Sequence, residues 1–84
     1  MQTEAIIRHF IAEDLLAGKR DAVPDPDESL ISAGILDSAA VLTLLTFVEK
    51  QFGVTIDDTE VTPANFGTIN RITKFVESKA GASA

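Results

Sequence analysis

The chain predicts an all-α fold: a small four-helix bundle, three main helices plus one short helix, with a long loop between helices 1 and 2. Three observations lead there. Apolar residues recur at the three- and four-residue spacing of a helix face in three separate segments. Glycines and the pairs Asp-Ser and Thr-Pro stand where such segments should stop and start. The chain is 45% apolar yet its only aromatics are five Phe, so Leu, Ile and Val must fill the core. At 84 residues it is read as one domain, 1–84, with one modest core.

The first helix is expected from about Thr3 to Ala17. Ile7, Phe10, Ile11 and Leu15 fall at helical spacing, and Ile6 and Leu16 widen the stripe. Thr3 can cap its start and Gly18 can end it. From Lys19 to Asp37 the chain reads as loop, because Pro24 and Pro26 forbid a continuous helix. Leu30, Ile31, Ile35 and Leu36 are expected to pin this loop to the core. Asp25, Asp27 and Ser29 imitate the opening of a calcium loop, but Leu30 occupies the sixth position, where glycine is needed, so no metal site is read there.

The second helix, about Ser38 to Gln51, is the most apolar segment. Val41, Leu44, Leu45, Val48 and Phe52 form the stripe expected to face the core, and Gly53 stops the helix. Leu42 and Phe47 extend apolar character beyond the stripe, Phe47 either widening the buried face or lying partly exposed. Val54 to Asp58 is an extended connection, since one isolated strand cannot form a sheet. Thr62-Pro63 starts a short helical turn through Phe66, which Gly67 ends. Thr68 caps the last helix to about Lys79, with Ile69, Ile72, Phe75 and Val76 buried, and residues 80–84 are expected to fray.

Charge and composition remove several functions. A net charge of −6 argues against a nucleic-acid partner, whose phosphates would be repelled. With no cysteine there are no disulfides and no thiolate metal sites. No run approaches the roughly 18 apolar residues that span a bilayer. Glu4 and Arg8 interrupt any signal-peptide pattern, so a cytoplasmic protein without a membrane partner is expected, acting as a monomer. The single histidine, His9, has no cysteine and no acidic cluster nearby that would make it a ligand or a base. No nucleophile–base pair is visible, which argues against a small enzyme.

One segment carries chemistry. In Gly34-Ile35-Leu36-Asp37-Ser38-Ala39-Ala40-Val41-Leu42, Asp37 fits a helix N-cap and Ser38 becomes the first helical residue. Its alcohol is then held at the positive end of the helix dipole, where a phosphate is stabilised. Asp and Ser are also common at helix starts purely as caps, so the pair alone would not specify a function.

The whole pattern does more. The apolar lead-in, Asp-Ser, a helix of about four turns and Phe52-Gly53 at its end resemble the acyl and peptidyl carrier protein family over nearly the whole chain. The resemblance implies a four-helix carrier bundle without catalytic apparatus of its own. It implies that a separate phosphopantetheinyl transferase moves 4′-phosphopantetheine from coenzyme A to Ser38 Oγ. The arm would hold an acyl or aminoacyl group as a thioester between biosynthetic enzymes. The lack of cysteine suits that role, since no protein thiol could intercept the thioester.

Partner docking is expected on Asp37, Ala39, Ala40, Thr43 and Phe47. Fatty-acid-synthesis carriers have a bulky apolar residue directly after the serine, and acidic residues one and four positions further along. This chain has Ala39, Ala40 and Thr43, and its acids lie instead in loops, at Asp21, Asp25, Asp27, Glu28, Asp57, Asp58 and Glu60. It therefore looks more like stand-alone peptidyl or aminoacyl carriers of specialised metabolism, loaded by adenylating enzymes. The alternatives are an ordinary acyl carrier, loaded by an acyltransferase, and an unmodified carrier-shaped interaction module in which Ser38 is a plain cap.

Overall fold

In a computed structural model, which describes residues 2–80, four α-helices pack around one apolar core. They are α1 (Thr3–Phe10), α2 (Ser38–Phe52), α3 (Pro63–Phe66) and α4 (Ile69–Lys79). The core joins Ile7, Phe10 and Ile11 to Leu44 and Val48 of α2, Phe66 of α3 and Ile69, Ile72 and Val76 of α4, with Leu30 and Leu36 from the long loop. The tail expected to fray lies, beyond Ala80, outside the described residues.

The first helix begins at Thr3 as expected but departs from expectation in its cap and at its far end. After Phe10 it widens into a π-helical stretch, Ile11–Leu15, and Leu16 N–H donates to Ile11 O at 2.9 Å. A π stretch shifts the register of the residues beyond it. Ile11 and Ala12 stay buried, while Leu15 and Leu16 both remain half-buried against the core. The helix thus closes before Ala17, which takes a left-handed φ of 54° ahead of Gly18.

Thr3 was expected as a cap but lies inside the first turn, with Gln2 in the capping position. Thr3 is fully buried, and its hydroxyl has no hydrogen-bond partner among the described residues. A buried unpaired hydroxyl loses its hydration without return. Thr3→Val, which keeps the branched shape, is expected to stabilise the fold by about 1 kcal/mol. Melting should rise by roughly 4–8 °C; an unchanged or lower Tm would show that the hydroxyl is satisfied.

The long loop is more ordered than its prolines imply. A 3₁₀ turn forms at Arg20–Ala22. Ser29 Oγ then accepts from Ser32 N–H, and the N–H groups of Ile35 and Leu36 both bond to Leu30 O. Gly34, at φ 77°, supplies the left-handed step that reverses the chain. This winding puts Leu30 and Leu36 inside but turns Ile31 out. Ile31 is half exposed rather than an anchor. Leu30 N–H donates to Gly67 O at 2.8 Å and Asn70 N–H to Pro26 O at 3.0 Å, so the loop is tied to the α3–α4 junction.

On α2 the inward line is narrower than the expected stripe. Leu44 and Val48, one turn apart, are fully buried, whereas Val41, Leu45 and Phe52 only flank the core. Gly53 ends the helix at φ 66°, its N–H bonding Glu49 O. Ile56 N–H donates to Glu49 Oε2 at 2.9 Å, which holds the extended connection in place. The connection then forms a 3₁₀ turn, Asp58–Glu60, closed by reciprocal bonds between Asp57 and Glu60. The Asp57-x-x-Glu60 spacing fits a capping box, and the turn it closes is one that the expected extended connection does not contain. Thr62 sits at the start of α3 without a side-chain cap bond, while Thr68 Oγ1 accepts from Arg71 N–H at 3.0 Å as expected.

Candidate functional site

Asp37 and Ser38 are placed by the start of α2. Asp37 has extended backbone and its Oδ1 accepts from Ala40 N–H at 2.8 Å, while Val41 N–H bonds to Asp37 O. The cap is therefore supplied by Asp37, and Ser38 is not needed for it. Ser38 is the first helical residue and is exposed. The N–H groups of Ser38 and Ala39 belong to the first turn, where no intrahelical acceptor exists, and the dipole there favours an anion.

Beside Ser38 opens a cleft of about 450 Å³, lined by Leu36, Asp37, Val41, Leu42, Leu45, Asp58 and Val61. One wall is α2 and the other the 3₁₀ turn before α3. The lining is mostly apolar with two carboxylates, so it offers a thin chain an apolar flank without a catalytic set. An exposed alcohol at a capped helix start, with open space next to it, fits covalent attachment of a phosphate-linked arm.

The residues expected for docking are not all on one side. Asp37, Ala39 and Thr43 are exposed and Ala40 is half-buried. Phe47 stacks on Phe10, ring centres 4.1 Å apart, and is half-buried. Nine residues beyond Ser38, it stands roughly 180° around the helix from it. The exposed strip nearest Ser38 consists instead of Ala39, Leu42, Thr43 and Thr46. Leu42, one turn above Ser38, is 65% exposed; its i+4 spacing from the serine could have marked it as a site residue. Thr43 Oγ1 donates to Ala39 O at 3.1 Å and Thr46 Oγ1 to Leu42 O at 3.0 Å. Both hydroxyl protons are spent on the helix's own carbonyls, and no charge occurs from Ser38 to Val48.

Charge gathers across the cleft. Glu60 Oε1 accepts from Asp57 N–H at 2.9 Å. That bond, then Lys79, holds the Glu60 carboxyl below the usual carboxylate range. A lowered pKa means the turn's bonds are complete at neutral pH and loosen only as pH falls through that lowered value. A larger cleft lies on α1 and the loop after it, lined by Gln2, Arg8, His9 and Arg20 among others. Its arginines are paired, Arg8 with Glu4 at 2.8 Å and Arg20 with Glu13 at 3.4 Å. No residue of the Ser38 cleft contributes to it. No helix among the described residues is long and apolar enough to cross a membrane.

Comparison with known proteins agrees with this geometry. Residues 6–76 match the family model described as a phosphopantetheine attachment site. A probable acyl carrier protein, PigG, of Serratia sp. (strain ATCC 39006) is 34% identical over 77 residues, which cover 92% of this chain and 86% of that protein. Among solved structures, a chain in the crystal structure of a FAD-dependent dehydrogenase superposes with a TM-score of 0.75 at 34% identity, covering 83% of this chain and 97% of that one. With the family model spanning most of its length, the chain belongs to the acyl and peptidyl carrier protein family, whose prosthetic group is 4′-phosphopantetheine.

Proposed function

We propose that Ser38 Oγ is the attachment point of the arm, and that this carrier domain shuttles an acyl or aminoacyl thioester between enzymes of specialised metabolism. The observation that carries the reading is Ser38 itself: exposed at the first position of α2, beside an open cleft, with the cap supplied by Asp37. When attached, the arm supplies the thiol that forms the thioester. The protein's residues hold the arm's root at a fixed helix start and present a surface that enzymes recognise.

That surface is Asp37 with the uncharged strip Ala39, Leu42, Thr43 and Thr46, bordered by Ala40 and by Phe47, which lies one turn beyond Thr43. A neutral strip favours a partner with a neutral, apolar contact face, which supports loading by an adenylating enzyme. Because few ion pairs would span such a contact, the KM for loading is expected to change less than about threefold from low to high salt. A steep rise in KM with salt would overturn this, and would place docking on the loop acids Asp57, Asp58 and Glu60.

Cargo is tested directly by offering the phosphopantetheine-bearing protein to adenylating enzymes with amino acids and to acyltransferases with malonyl-coenzyme A. Aminoacyl loading supports the reading. Malonyl loading alone supports the ordinary acyl carrier, towards which the resemblance to PigG also points. The solved chain similar to this one belongs to the crystal structure of a FAD-dependent dehydrogenase, yet this small helical domain covers it almost end to end. That supports a flavin-dependent dehydrogenase as one enzyme to which the thioester is delivered.

A further inference from the structure

The turn that walls the cleft opposite α2 is held from outside the site. Glu60 closes the box with Asp57, and its carbonyl accepts from Asn65 Nδ2 at 2.9 Å. Its carboxylate also receives Lys79 Nζ, 2.9 and 3.1 Å from its two oxygens, across 19 residues of sequence. Lys79 is the last residue of α4, and its ammonium lies 5.9 Å from the centre of the Phe75 ring, which tilts against Phe66 of α3. Such a lysine would ordinarily extend into water. Here each partner's side chain is only 30% exposed and both carboxylate oxygens are engaged. On either side of Glu60 stand Asp58 and Val61, which face Ser38 across the cleft.

We propose that Lys79 is a positioning residue: through Glu60 it fixes the turn bearing Asp58 and Val61, and so sets the width of the cleft that an enzyme meets at Ser38. The proposal rests on Ser38 as the attachment residue. A single ion pair that still keeps 30% of each side chain in solvent is screened and adds little to global stability. Its loss should therefore appear in the encounter with an enzyme rather than in melting.

The test measures arm transfer from coenzyme A by a phosphopantetheinyl transferase to wild type, Lys79→Met, Lys79→Arg and Glu60→Gln. Glu60→Gln keeps an acceptor for Asp57 N–H while removing the charge that Lys79 seeks. Both Lys79→Met and Glu60→Gln are expected to raise the carrier's KM about threefold to fivefold with kcat unchanged. Lys79→Arg should restore the wild-type value. Amide exchange at Asp58, Thr59, Glu60 and Val61 should quicken in Lys79→Met while α1 and α4 stay protected. Unchanged KM in Lys79→Met, a rise that Lys79→Arg fails to correct, or unchanged exchange in the turn would each overturn the role of Lys79. A wild-type protein that gains no arm overturns the Ser38 reading instead.

Discussion

Ser38→Ala is expected to keep its helical circular dichroism and to gain no phosphopantetheine on incubation with coenzyme A and a transferase. Ser38 is exposed, the helix is capped by Asp37, and alanine is the best helix former, so folding should not suffer. The mass increment of the arm should be present in wild type and absent in the variant. A Ser38→Ala protein that still acquires one arm would refute the assignment. A wild type that never acquires it would leave the serine as a plain helix residue, and the chain as a carrier-shaped interaction module.

Leu44→Ala is expected to be the most destabilising single truncation on α2. Leu44 is fully buried and packs in the cluster with Val48, Ile72 and Val76. Removing its branched end should cost about 2–5 kcal/mol, a large part of the roughly 5–15 kcal/mol a domain can have. Melting should fall by at least about 10 °C. The neighbouring Leu45→Ala is the control. Leu45 is half-buried along the Ser38 cleft, so its truncation should cost closer to 1 kcal/mol. Equal losses from the two variants would mean that the inward line of α2 is drawn wrongly.

That pair shows where sequence reasoning stops. The periodicity of α2 marks an apolar side of the helix, and both leucines fall on it. Which of two adjacent positions points inward depends on where α1 and α4 lie, and no local pattern contains that. Ile31 illustrates the same limit: its type suggests an anchor, but the chain winds around Leu30 and turns it outward. Thr3 fails as a cap for a related reason: Gln2 takes the capping position, and Thr3 lies inside the first turn, buried against the core. The boundaries of α2 and the starts of α3 and α4, set by local chemistry, were readable. Asp37, Gly53, Pro63 and Thr68 each act within one turn of themselves, and each stands where expected. The candidate attachment residue was legible for that reason, being fixed by the cap beside it. The wall bearing Asp58 and Val61 was not, since contacts distant in sequence bring it to Ser38.

The two sides of α2 separate tasks that many small domains must combine. Leu44 and Val48 are committed to the interior, whereas Leu42, Thr43 and Thr46 touch solvent and, for the threonines, only the carbonyls of their own helix. Substitutions on the outer strip should thus be nearly free of folding consequences. A lineage, or an engineer, can rewrite this strip one residue at a time and keep a folded intermediate at every step. Allegiance to a new enzyme is then reached without first having to repair the scaffold.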